Sequence, residues 1–442
     1  MYRHLWGTPE LAGVFDERAM LQSWLSILVV LAKVQAEVGI VPASAAAQIA
    51  AEARVDALDL DFVAEQTAET SHSALGLIKG LLAVLPAEAR EHIYVGATVQ
   101  DVTDTWFGLV MREVGAVVWR DLRALEARLV GLAARHRDTV MAGRTHGQLG
   151  APVTFGFKAA SWADEARRHI ERLRAGRARW VVGQLGGAVG GLGYFGAHGP
   201  RLRARFCAEL GLADPGISWL TARDRIAEFG TVLAMVCGTL ARIGGEVYEL
   251  ARLEIGELAE PASPEGVSSI TMPHKRNPER SEHLDTLARL ARSSAGVLLE
   301  GMVAAHERDG RAWKAEWIAF PEVCQLTGAS LSLALELLDG LEVRGEAMAA
   351  TVRRYQRELG SERVLAELAG RLGKHRAQQL LHEVLRRDGA DLVTALPALG
   401  VATAEEVSCW QRSPSVDAVA EMVDEVCRRA AEARAAEPEH WT

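Results

Sequence analysis

No proline interrupts the chain between Pro86 and Pro152, Pro152 and Pro200, Pro215 and Pro261, or Pro321 and Pro397, so helices of many turns can form without a breaker. Within the segment 223–258, Ile226, Phe229, Leu233, Val236, Leu240, Ile243, Val247 and Leu250 recur three and four apart, which is a heptad seam. A second seam runs through Val114, Val118, Leu122, Leu125, Leu129 and Leu132. Both predict long helices of one bundle. Strand-like alternation with hairpin turns is scarce, and the turn-like stretches 183–200 and 260–268 are Gly- or Pro-rich connections. The expected fold is all-α in three helical domains: an N-terminal helical domain over 1–100, a central long-helix bundle over 101–345, and a C-terminal helical domain over 346–442. The seam from Ile226 to Leu250 spans about 36 Å at the helical rise. One chain is expected to bury only part of it, leaving the rest for other copies.

At 442 residues, 49% of them apolar, the chain can fill more than one core. Its 49 Lys and Arg against 58 Asp and Glu give a net charge of -9, which argues against a nucleic-acid partner. The first ten residues lack the basic-then-apolar order of a signal peptide. The apolar run Leu25 to Ala32 falls short of the roughly 18–20 residues that span a bilayer, so no membrane partner is expected. Five scattered cysteines without a C-x-x-C pair suit a reducing, cytoplasmic setting and small core residues. No 20–50-residue repeat indicates a solenoid.

Chemistry concentrates in a few short stretches. Ser268-Ser-Ile-Thr-Met-Pro-His-Lys-Arg-Asn-Pro278 follows the Pro-rich 260–266 and leads into a helix start. Asn277 suits an N-cap and Pro278 a first helical residue, which would set the positive end of a helix dipole beside Lys275. Capping chemistry alone allows either an anion-binding corner or a plain surface turn. Gly143-Arg-Thr-His-Gly-Gln148 carries a histidine soon after a long helix, where a structural role is the commoner one. Gly191 to Gly196 matches G-x-G-x-x-G, but Gly199-Pro200 is expected to break the chain where a phosphate-binding helix should begin. No metal-ligand spacing is present either, so neither metal nor other cofactor is expected.

The run 268–278 resembles the signature loop of the aspartase/fumarase superfamily, Gly-Ser-Ser-x-Met-Pro-x-Lys-x-Asn, with Ser268 in place of the Gly and Ile270 in place of the second Ser. The resemblance implies Ser269 as the base that removes a proton beside a carboxylate, with Lys275 and Asn277 as carboxylate contacts. The stretch 143–148 looks like that family's histidine segment, which makes His146, backed by Glu282, the acid that protonates the leaving group. Thr145 and Gln148 would bind substrate there. Gly96-Ala-Thr-Val-Gln-Asp101 looks like the Thr-Ser-x-Asp segment and implies Thr98 and Gln100 as further substrate contacts. Thr70-Ser71-His72 resembles the Thr-x-His-Asp segment of the adenylosuccinate lyase branch, with Ser73 for the Asp, and implies His72 as a second active-site histidine. The stretches 219–228, 306–317 and 361–365 look like the adenylosuccinate lyase and 3-carboxy-cis,cis-muconate cycloisomerase branch and bring Arg308 near substrate. Ala222 and Val99 replace a usual Gln and Ser, which leaves the substrate open.

What this resemblance implies is a cofactor-free lyase catalysing anti β-elimination from a succinate-type dicarboxylate. C–N cleavage releasing fumarate is favoured, from a substituted aspartate, an adenylosuccinate-like compound, or nitrosuccinate with loss of nitrite. Muconate-type lactonisation and a non-catalytic, crystallin-like role are the alternatives. A homotetramer with sites shared between subunits is implied as well.

Overall fold

The computed structural model describes residues 6–262, 271–272, 275–386, 391–412 and 416–441. Its frame is five helices that run alternately up and down. The first, α1 (Val99–Arg135), starts at a capping box in which the Asp101 carboxylate accepts the Thr98 backbone N–H at 2.9 Å. Its 37 residues make a rod about 55 Å long. A hairpin follows, β1 (Val140–Thr145) and β2 (Gln148–Thr154), and α2 (Phe155–Trp180) returns alongside α1. Next come α3 (Asp224–Leu250), α4 (Glu279–Glu300) and α5 (Gly310–Asp339). A two-residue ribbon, β3 (Leu258–Ala259) against β4 (Glu342–Val343), ties the exits of α3 and α5 together.

Both seams are buried, as their spacing predicts. The expectation that one chain could not cover the α3 seam is corrected: all eight residues from Ile226 to Leu250 are no more than 1% exposed. The cover comes from α4 and α5, which close on α3 where glycines omit a side chain. A Cβ on Gly230 would stand 2.4 Å from Leu298 of α4. By length and apolar content Glu17–Glu37, Asp224–Leu250 and Trp313–Asp339 match a bilayer span, and half or more of each such stretch lies inside the fold.

The N-terminal helices pack on α1 through Phe15 and Trp24, which both meet Trp106 edge-on. The described residues of 361–386 and 391–412 build a separate small core around Val364, Leu368, Leu381, Leu396 and Val407. The last helix, α6 (Asp417–Ala436), then returns to pack on α1 and α2. Beyond it Trp441 sits on Gly115, where a Cβ would come within 2.0 Å of the indole.

Four local expectations need correction. The hairpin escaped a reading that saw strands as scarce. Helix α3 stops at Leu250, not near 258, because the chain turns back through Gly256 (φ 63°) and Glu257 N–H donates to the Leu250 carbonyl at 2.9 Å. Gly199-Pro200 does not break the chain: Pro200 occupies the first turn of the helix Gly199–Glu209, where its missing N–H costs nothing. The preceding backbone makes only an isolated bridge, Val182 to Ala213, in place of the strand a dinucleotide fold needs. Finally, α4 begins at Glu279 with Pro278 as its N-cap, one residue later than expected.

Candidate active site

At the start of α1, Arg308 of the α4–α5 connection donates to Thr98 Oγ1, and its guanidinium lies 5.6 Å from the centre of the Trp313 ring. A half-buried cation and a hydroxyl at a helix N-terminus form a corner suited to a carboxylate. Asp101 holds this corner in place. Besides capping Thr98, its carboxylate accepts Gly186 N–H at 2.8 Å and Gly187 N–H at 3.0 Å, which fastens the Gly-rich stretch after 183 to the helix. Burial pushes the Asp101 carboxyl up to about 7 even though three N–H donors favour its ionised form. Gln100, expected to touch substrate, is wholly buried, with its Nε2 committed to the Leu220 carbonyl at 2.7 Å.

One helical turn deeper, two stretches singled out by sequence, 219–228 and 306–317, meet α1 at Asp104. Arg223 donates two bonds to Asp104, at 2.8 and 2.9 Å, and two to Glu316, at 2.9 and 2.5 Å; all three side chains are essentially buried. Burial raises both carboxyls, and the Arg223 guanidinium opposes it. The cluster locks the segment before α3 against α1 and α5 and so fixes the ground under Thr98 and Arg308. Sequence reasoning placed Arg223 and Glu316 in family-like stretches without giving them a role. A lone Arg beside a predicted helix start does not reveal its buried partners.

The opposite end of the bundle holds the other candidates. His146 and Gly147 form the hairpin turn, both with positive φ (53° and 74°), as a two-residue primed turn requires. Thr145, His146 and Gln148 are all exposed there. Arg144 anchors the hairpin with a two-pronged pair to the buried Glu257 carboxylate, both bonds at 3.0 Å. Nearby, the Glu260 carboxylate accepts Arg280 N–H, Ser281 N–H and the Ser281 hydroxyl at 3.1, 2.8 and 2.7 Å. A distant carboxylate thus caps α4, and Asn277 precedes the N-cap. Lys275 is exposed beside this positive helix end, and Glu282 is exposed on the first turn. Within one chain His146 and Glu282 make no contact among the described residues. Ser269 lies outside the described residues.

His72 follows Ser71, which has a left-handed backbone, and its Nδ1 accepts Leu75 N–H at 3.2 Å. That bond assigns the ring proton to Nε2 and orients the imidazole without the carboxylate that Ser73 replaces.

The candidates therefore fall into two groups. Thr98 and Arg308 sit at one end of a rod of about 55 Å, and His146, Lys275 and Glu282 sit at the other. Neither group alone combines the carboxylate corner, the imidazole and the lysine.

A family profile described as lyase matches residues 6–291. The N-acetyl-S-(2-succino)cysteine lyase of Dickeya dadantii is 38% identical over 432 residues, covering 96% of this chain and 95% of that protein. The nitrosuccinate lyase of Streptomyces davaonensis is 39% identical over 414 residues, covering 89% and 85%. The crystal structure of 3-carboxy-cis,cis-muconate lactonizing enzyme from Pseudomonas putida superimposes with a TM-score of 0.89 at 32% identity, covering 98% of this chain and 99% of that one. With the helical frame and near full-length similarity in agreement, this chain belongs to the lyase family of the aspartase/fumarase superfamily.

Proposed function

We propose that this enzyme releases fumarate by β-elimination from a 2-substituted succinate, and that the departing atom is the sulfur of an N-acylated cysteine. The observation that carries the reading is the similarity, over 96% of the chain, to a protein named for that substrate. In the reaction Ser269 takes a proton from the methylene carbon of the succinyl group. The electron pair left behind forms the double bond as the C–S bond breaks, and the thiolate receives a proton from His146. Thr98 and Arg308 hold one carboxylate, while Lys275 and Asn277, at the positive end of α4, stabilise the charge that builds on the other. Glu282 orients the imidazole.

Such a site needs residues from both ends of the rod, so it draws on more than one chain, and a homotetramer is the assembly proposed. Met235, Leu290, Leu299, Val303 and Ile318 remain exposed along the α3–α5 side of the bundle, which supports burial against other copies. A nitrogen leaving group, favoured at first from sequence, is the second reading, and the Streptomyces relative supports it. The deciding experiment incubates the enzyme with N-acetyl-S-(2-succino)cysteine, adenylosuccinate and nitrosuccinate. Fumarate is followed by its ultraviolet absorbance, and thiol or nitrite by colour reaction. Equal amounts of thiol and fumarate from the first compound alone support the sulfur reading. Nitrite from the third, or fumarate from the second, transfers the assignment to nitrogen, and fumarate from none of them rules out both.

A further inference from the structure

A cleft of about 500 Å³ opens at the root of the hairpin, between Val140 and Pro152 on one side and the helices of residues 345–412 on the other. Its volume falls within the range of small-molecule sites, about 300–1,000 Å³. None of the residues assigned to the elimination lines it. Measured along the strands, its wall lies roughly 10–17 Å from the hairpin turn that carries His146.

The lining pairs an apolar floor with cationic walls. Val140, Pro152 and Leu359 supply the floor, and Arg353 and Arg412 reach the cleft with no ion-pair partner among the described residues. In a chain of net charge -9, most of whose arginines near a carboxylate are paired, two unpaired guanidinium groups on one cavity leave its field positive. A third arginine, Arg363, is already engaged with Glu367 at 2.6 Å, and the lining holds one carboxylate, Glu362. Gln411 also lines the cleft, and its side-chain amide, open to solvent, makes no hydrogen bond to a described residue and so is free to donate to a ligand. Its backbone is fixed, since a Cβ on Gly360 would stand 2.6 Å from the Gln411 Cα.

We infer that this cleft is a second binding site, for a small monocarboxylate with an apolar body, in which Arg353 and Arg412 take the carboxylate, Gln411 donates to it, and the floor receives the hydrocarbon. The inference goes beyond the elimination chemistry and stands independently of it. The probe is hexanoate, titrated calorimetrically into the full-length enzyme, with hexan-1-ol as the uncharged control and saturating fumarate as the competitor. Hexanoate is expected to bind equally well with and without fumarate, and about tenfold or more tighter than the alcohol. Replacing both Arg353→Ala and Arg412→Ala is expected to weaken hexanoate by about tenfold or more while His146→Ala leaves it unchanged. Ala366→Trp, which fills the cleft from its exposed wall, should abolish binding without touching either arginine. Displacement of hexanoate by fumarate, equal affinity for the alcohol, or unchanged affinity in both the arginine and Trp variants would overturn the proposal.

Discussion

The length of α1 makes a quantitative demand on the assembly. Thr98 and Arg308 sit at its start and His146 lies beyond its end, about 55 Å away, so no single chain can place both on one small dicarboxylate. Two variants, His146→Ala and Arg308→Ala, each remove one half of the site. Loss of the acid alone is expected to slow turnover by about 10²–10⁴-fold, so each pure variant should be nearly inactive. Mixed in equal amounts, dissociated in mild denaturant and reassociated, the chains distribute at random. A site that draws its histidine from one chain and its arginine from another is intact with probability one half times one half. About a quarter of wild-type kcat should therefore return in the mixture. Fumarate absorbance with the proposed thioether substrate is the assay, and each variant taken separately through the same cycle is the control. Activity that stays at the level of the pure variants would mean that both residues act in one chain or that one of them has no part in the site, and the shared-site geometry would fall.

Other perturbations follow from the packing. Arg223→Met leaves Asp104 and Glu316 buried without their cation and should cost about 3–5 kcal/mol in a chemical denaturation experiment. Gly115→Ala drives a methyl into Trp441 and should destabilise by about 1–3 kcal/mol, with a change in tryptophan fluorescence as the indole is displaced. Asp101 has a native pKa raised to about 7, so the folded chain holds a proton that the unfolded chain has lost. Its contribution to stability is fully present below the usual aspartate range and is lost as pH rises toward 7; Asp101→Asn should flatten that part of the stability profile.

Much of this architecture could be read from the residues. Heptad spacing identified the inner faces of α1 and α3, because a side chain's place in a helix repeats every three or four positions and burial selects for it. What spacing does not reveal is the identity of the covering partner. The α3 seam was therefore assigned in part to other copies, although α4 and α5 cover it. The hairpin was missed because its strands do not alternate cleanly between inside and outside, and its turn is His-Gly where Asn-Gly would be the stronger signal. The cap of α4 was assigned to the adjacent Asn277, while the carboxylate that provides it stands some twenty positions earlier, at Glu260. The Thr-x-x-Asp spacing of Thr98 and Asp101 carries a capping signal that the sequence reading did not use, and the hold of Asp101 on Gly186 depends on a contact across 85 residues that no local spacing reveals. The family-like motifs supplied the candidate residues and implied sites shared between subunits, and the folded length of α1 gives the distance that separates the two groups within one chain.

The clamp from Glu260 to Ser281 has a consequence for how this lyase can change. Its three hydrogen bonds bring together the two feet of the segment that contains the signature residues, and the Arg144–Glu257 pair fastens the same region to the histidine hairpin. Whatever sequence lies between the feet, their separation is fixed by the frame, and adding residues raises the closure entropy only logarithmically. The clamp and the bundle beneath it therefore do not depend on the length of the stretch that joins the feet, and residues added there away from Ser269, Lys275 and Asn277 should leave the frame unchanged.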